Sequence, residues 1–405
     1  MEAFITVYTG EVFLFWRGLQ PSVSIEDPEF AKQILSNKFG YVKPKLRPTL
    51  LPLTGNGLGM LNGLDWVRHR SILKPAFTMD KLKVMTKRMA ACTIDMIDDW
   101  KNKALMADHQ YMMIEMSEEF EKLSADVIAH VAFASSYVEA GEVFKAQKEL
   151  QKQCIATVMD IDIPGSRFLP TPSNLQRWKL DNKVKNSLKC MVEGRIESFQ
   201  SKEKLDRCYG DDMLGLMIEA SKTAKKSLEL NMGEIIDELR EEVLRECGMG
   251  IPEADMLTKL KLVSMVLFET LTLYGPVLEL DREASKDMKL GNLMFPKGVQ
   301  ITIQFLKIHR SKEYWGEDAN EFNPLRLKNG VTHAAKHPSA LLAFGLGPRA
   351  CIGQNFAMLE AKVQASLSRW IILSRHCCGS LASCSNENDL ESMQLCRVDC
   401  GDPLP

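Results

Sequence analysis

The chain lacks any apolar run of roughly 18 residues, so no stretch of it is expected to span a bilayer. It also lacks an excess of positive charge. Its formal net charge is -2 and its pI about 6.4, which removes the basic footprint that nucleic-acid binding requires. The opening Met1-Glu-Ala-Phe-Ile-Thr-Val-Tyr8 has neither the charged start nor the apolar centre of a signal peptide, so the chain as written reads as soluble. There is no internal repeat and no low-complexity segment.

What the chain does have is enough apolar content, 45% of 405 residues, to bury a large core. Its eleven cysteines are unevenly spread. Six are scattered from Cys92 to Cys351, the usage of reduced thiols facing the cytosol. The other five, Cys377, Cys378, Cys384, Cys396 and Cys400, crowd the tail without a Cys-x-x-Cys pair, so zinc is not expected there.

Hydrophobic periodicity predicts a mainly helical chain with a small β portion, an α+β fold. Glu11 to Trp16 has a strand pattern, and Asp27-Pro28 opens a capped helix to Leu35. From Asp65 onward helical spacing takes over. Leu82, Met85, Met89, Cys92, Met96 and Trp100 recur at steps of three and four, a stripe expected in the core, with similar stripes over 115–160 and 174–200. Ile163 to Pro172 reads as a turn-rich link and Ser221 to Leu230 as a polar connector. After Tyr274-Gly-Pro276, strand-like runs cover Lys289 to Phe295 and Val299 to Ile303, with Pro296 to Gly298 as the turn between them.

The segment Phe344-Gly-Leu-Gly-Pro-Arg349-Ala-Cys351-Ile-Gly353 carries the most chemistry. It sets one cysteine in a glycine-kinked loop that runs into a helix. Alone, Cys351 would read as a buried structural thiol. In this setting the amides of the helix start favour a thiolate, Gly345 and Gly347 allow a tight bend, and Pro348 stiffens it. Arg349 can fork onto a carboxylate, and Gly353 lets a flat ligand approach closely. Trp66 and Arg70 lie four residues apart on one helical face, where an indole donor and a guanidinium can meet one carboxylate; without the loop they would read as a surface ion-pair helix.

These residues carry a resemblance to the cytochrome P-450 monooxygenases, whose proximal loop reads Phe-x-x-Gly-x-Arg-x-Cys-x-Gly and is matched at all five fixed positions. Trp66-x-x-x-Arg70 resembles the family's early haem-contacting motif. Phrases such as Leu61 to Arg70 and Pro164 to Phe168 are similar to its plant branch, which includes hydroxylases of cytokinins, gibberellins and brassinosteroids. The resemblance implies a haem b (iron protoporphyrin IX) cofactor with Cys351 as iron ligand. Trp66, Arg70, Arg282, Phe344, Arg349 and Gly353 would be cofactor contacts, and Glu269 with Arg326 a structural pair. It further implies monooxygenation of a small hydrophobic substrate with electrons from an NADPH-dependent reductase. The cytosolic face of the endoplasmic reticulum membrane is the implied location, through an anchor that this sequence does not contain.

The resemblance is interrupted. The family's Glu-x-x-Arg helix has Thr272 at the arginine position, which leaves Arg326 alone to compensate Glu269; losing one member of a buried charge set costs about 3 to 5 kcal/mol. The distal Ala/Gly-Gly-x-Asp/Glu-Thr-Thr motif is absent, so no catalytic residue is identifiable. Ala140-Gly-Glu142-Val lacks the threonines and comes too early. Glu234 to Glu238 passes directly into Leu239 to Arg245, as if about 35 residues, or about 50 Å of helix, were missing near 238–239. The expectation is therefore one incomplete haem domain over 1–362 and a divergent, poorly ordered cysteine-rich tail over 363–405. The alternatives to a monooxygenase are a catalytically inactive truncated product or interaction fragment with weak or no haem binding, and a haem-thiolate isomerase.

Overall fold

The computed structural model describes residues 12–17, 20–45, 51–55, 57–106, 111–133, 137–156, 165–200, 214–215, 260–373 and 395–399. The polar connector, the junction near 238–239 and most of the tail lie outside them. The described chain is mostly helical with a small sheet, as its periodicity implies. It divides into two compact units that interleave in sequence: Met1–Ser71, Cys154–Asn174 and Lys261–Gln354 form one, and Ile72–Gln153, Leu175–Leu260 and Asn355–Pro405 the other.

The first unit is built on a five-stranded sheet. β1 (Val12–Arg17) and β2 (Gln20–Ile25) form an antiparallel hairpin, followed by α1 (Pro28–Ser36), β3 (Tyr41–Val42), the short α2 (Leu51–Thr54) and α3 (Gly63–Leu73), whose last two residues pass into the second unit. Asp27 caps α1 by accepting from the Phe30 amide at 2.5 Å, and Pro28 fills the first helical turn, where a missing N–H costs nothing.

The second unit contains α4 (Met79–Met106), β4 (Tyr111–Glu115), α5 (Met116–Phe133) and most of α6 (Tyr137–Ala156) and α7 (Pro172–Gln200). The stripe read from α4 is core: Leu82, Met85, Met89, Cys92 and Trp100 are all buried. Trp100 donates its indole N–H to Glu119 of α5 at 2.8 Å, which satisfies the polar atom of an otherwise apolar anchor.

The chain returns to the first unit with α8 (Lys261–Tyr274) and β5 (Leu280–Ala284). The run Lys289 to Phe295 is not one extended stretch. It folds at Gly291, with φ 56, into the hairpin β6 (Met288–Leu290) and β7 (Leu293–Phe295), because the Gly-Asn pair provides the left-handed residue that a tight turn needs. β8 (Gln300–Ile303) then enters the main sheet, parallel to β2 and antiparallel to β5, giving the order β1-β2-β8-β5-β3. Against the sheet lie α1, α9 (Phe305–His309) and α10 (Lys312–Trp315), with Ile25, Ile34, Ile301, Ile303, Phe305 and Leu342 in a shared apolar core. α11 (Gln354–Leu373) follows the cysteine loop. Of the tail from 363 onward, the described residues are the end of α11 and β9 (Leu395–Asp399), which pairs antiparallel with β4.

Candidate functional site

The cysteine loop is closed by its own backbone. The Cys351 amide donates to the Phe344 carbonyl at 2.8 Å, the Ala350 amide to Gly347 at 3.1 Å, and the Gly345 amide to Leu342 at 2.8 Å. Gly345 and Gly347 have φ of 68° and 71°, the left-handed region that glycine occupies without a Cβ penalty. At Gly347 a Cβ would also stand 2.6 Å from the Leu35 carbonyl oxygen at the end of α1, so the loop passes α1 where only glycine fits. Cys351 is half-buried and in no disulfide, and buried Gly353 leads into α11. Phe344 packs edge-on against Phe268 of α8, ring centroids 6.4 Å apart.

Arg349 of this loop joins a cluster of cations around one indole. Trp66, 5% exposed on α3, has the Arg349 guanidinium 4.6 Å from its ring centroid, Lys38 at 5.2 Å and Arg70 at 5.9 Å. Arg349 donates to the Leu61 carbonyl at 2.8 Å and to Asn62 Oδ1 at 3.1 Å, while its buried Nε has no partner. Asn62 is itself fixed, since its amide group exchanges two hydrogen bonds with the Lys43 backbone, both at 2.9 Å. Arg282 belongs to the same charge group. It lies on the buried face of β5, 2% exposed, and donates to its neighbour's carbonyl at 2.9 Å.

The electrostatics follow from this crowding. Burial, with the positive charge of Arg349 added, pulls the Arg282 pKa down to about 10, against the opposing effect of Asp281. Burial and the charge of Arg70 do the same to Arg349, also to about 10. A buried and a half-buried guanidinium that repel one another, with an unused N–H, fit an anionic ligand that neutralises them. Two carboxylates on one flat apolar ligand, as in haem, suit that charge set and the glycine-lined cysteine loop.

Glu269 and Arg326 form a salt bridge. Arg326 Nε lies 3.1 Å from Glu269 Oε1, and the Asn323 amide donates to the same oxygen at 2.9 Å. Thr272 turns its hydroxyl back to the Phe268 carbonyl at 2.7 Å and does not serve Glu269, whose Oε2 is buried without a partner. Arg326 also binds the backbone carbonyls of Trp315, Asp318 and Glu321, so one side chain ties α10 and the segment after it to α8.

Sequence reasoning missed three residues. Lys38 and Asn62 reach the site through tertiary contacts and carry no pattern of their own. The third, His309 at the end of α9, accepts the Leu342 amide at Nε2, 2.9 Å away, and has the Thr272 backbone as its other partner. It thereby links α8 to the approach of the cysteine loop. Burial depresses its pKa to about 4, so it is neutral at physiological pH.

The family model for Cytochrome P450 matches the chain in two stretches, residues 4–237 and 230–367, whose break falls beside the junction expected at 238–239. "Cytochrome P450 709B3" of Arabidopsis thaliana is 45% identical, over 87% of this chain and 74% of that protein. "Secologanin synthase 1" of Catharanthus roseus is 34% identical, over 86% of this chain and 73% of that protein. The 709B3 alignment runs over 391 positions but takes in only 87% of 405 residues, so that relative has residues this chain lacks. A cysteine loop, a cation cluster and a family match over most of the length converge on one assignment: this chain belongs to the cytochrome P450 family of haem-thiolate oxidoreductases.

Proposed function

We propose that the chain binds haem b with Cys351 as the iron ligand and with Arg349, Arg282, Arg70 and Trp66 on the propionates. In this reading it oxygenates a small hydrophobic molecule with electrons from an NADPH-dependent reductase, on the cytosolic face of the endoplasmic reticulum membrane. The observation that carries the reading is the unpartnered, buried Nε of Arg349, two residues before Cys351 on one loop and within a group of mutually repelling guanidiniums. Bound haem would supply the activation of dioxygen, favoured by the electron density of a thiolate ligand. The chain's own residues hold and tune it. Phe344 and Phe268 exclude water near the sulfur, Arg282 and Arg349 bind anionic groups, and the Phe344 carbonyl fixes the backbone at Cys351.

A second reading, a haem-binding chain without turnover, is favoured by the break in the family match and by the absence of the distal acid-threonine motif near 238–239. In that reading 1–362 is a haem domain that lacks its distal helix. The test is the carbon monoxide difference spectrum of the haem-reconstituted, reduced full chain beside Cys351→Ser. A strongly red-shifted Soret band that the substitution abolishes supports thiolate ligation, and its absence overturns it. Substrate turnover that requires NADPH and reductase then distinguishes the oxygenase from the idle chain, and turnover without them indicates an isomerase.

A further inference from the structure

Inside the second unit, Cys92 of α4 meets Asp126 and His130 of α5. Asp126 and His130 are one helical turn apart and project from the same face. Cys92 Sγ lies 3.5 Å from His130 Nδ1, and Asp126 Oδ1 lies 3.2 Å from the same nitrogen. All three donor atoms fall within 4.8 Å of one another.

The convergence on a single ring nitrogen decides between two chemistries. A nucleophile-histidine-acid relay places its partners on opposite ring nitrogens, so this is not such a relay. One nitrogen also cannot satisfy a thiol, a carboxylate and the Asp126 carbonyl 3.0 Å away, since it has one proton or one lone pair to offer. A tetrahedral zinc ion, with bonds of about 2.3 Å to sulfur and about 2.0 to 2.1 Å to nitrogen and oxygen, would separate sulfur from nitrogen by about 3.5 Å and nitrogen from oxygen by about 3.3 Å. The contacts in the protein have that spacing.

We propose that Cys92 Sγ, His130 Nδ1 and one carboxylate oxygen of Asp126 form a zinc(II) site, with a water molecule as the fourth ligand. The thiol is 3% exposed, whereas the side chains of His130 and Asp126 are 38% and 24% exposed, so the site is closed on the sulfur side and open to solvent on the other. Thiolate and carboxylate together neutralise a divalent ion, and Asp95 adds negative charge near the sulfur. Arg88 is turned to the His130 carbonyl at 3.2 Å. Burial, Asp126 and Asp95 push the Cys92 thiol far up, so it stays protonated until metal displaces the proton. Binding therefore forms one Zn–S bond, breaks one S–H bond and gives that proton to the buffer.

The test uses the haem-reconstituted full chain, stripped with a chelator and dialysed against micromolar zinc(II) in weak buffer. Wild type is expected to retain one more zinc, and to release one more proton on binding it, than either Cys92→Ser or His130→Gln. His130 is half-exposed, so His130→Gln keeps the test valid if the buried Cys92→Ser fails to fold. Equal zinc content in wild type and folded His130→Gln overturns the proposal, whatever the tail cysteines bind, because they are common to both proteins.

Discussion

Arg326 holds one oxygen of Glu269 at 3.1 Å while the other oxygen of the same buried carboxylate has no partner. The pair is nearly inaccessible, with side-chain exposures of 8% and 1%. Removing one member of such a pair leaves an uncompensated charge in a low-dielectric site. Arg326→Met is accordingly expected to lower stability by about 3 to 5 kcal/mol, and Glu269→Gln added to it should recover part of the loss. Denaturant midpoints of the two single variants and the double variant measure this. A double variant no more stable than Arg326→Met would show that the carboxylate is solvated.

Asn62 determines where the Arg349 fork points, through the 3.1 Å contact at Oδ1. Asn62→Leu removes that acceptor and leaves Cys351 untouched. The expected result is a roughly tenfold weaker hold on haem, equivalent to about 1.4 kcal/mol, with an unchanged thiolate-type spectrum for the haem that remains. Asn62→Asp should weaken it as well, because the new carboxylate competes with the propionates for Arg349. Haem transfer to an excess of apo-globin gives the affinity. Wild-type retention in both variants would remove Asn62 from the site.

Most of this site was legible because its chemistry is local. The order of Phe344, Gly345, Gly347, Arg349 and Cys351 fixes a bend, a guanidinium and a thiol within one loop, and Trp66 and Arg70 fall on one face of α3 by helical spacing alone. Asn62 was not legible as a partner of Arg349 because 287 residues separate them, a distance over which periodicity carries no signal. Lys38 and His309 were missed for the same reason. The hairpin within Lys289 to Phe295 was blurred differently, since apolar residues on both sides of Gly291 hide a turn that depends on one backbone angle.

Gly345 and Gly347 separate two costs that usually occur together. Both have positive φ, but a Cβ at Gly345 meets nothing closer than 4.0 Å, whereas at Gly347 it meets the Leu35 carbonyl at 2.6 Å and Ser36 Cα at 3.0 Å. Gly345→Ala should therefore cost about 1 to 2 kcal/mol, the backbone strain alone. Gly347→Ala is expected to cost about 1 to 3 kcal/mol more, because the end of α1 must move. Thermal unfolding of both variants checks the ordering, and equal costs would show that α1 yields freely at this point.

His309 gives the fold an acid-sensitive tether. Its ring nitrogen accepts the Leu342 amide, so protonation at that nitrogen breaks the bond and places a charge in a buried apolar cluster beside Trp315. The folded pKa, about 4, lies below the ordinary histidine value of 6.5, so the unfolded chain binds the proton first as pH falls. The stabilisation is then complete above pH 6.5 and is lost as pH drops towards 4. Between pH 7 and pH 5 this one group should remove about 2 kcal/mol, before most carboxylates titrate. His309→Gln offers an amide oxygen to the same N–H and no titrating ring. It should be less stable than wild type at pH 7 and should show a flatter loss of stability down to pH 5. Parallel slopes for the two proteins would mean that the histidine is already protonated in the folded chain, or that its tether to Leu342 does not form.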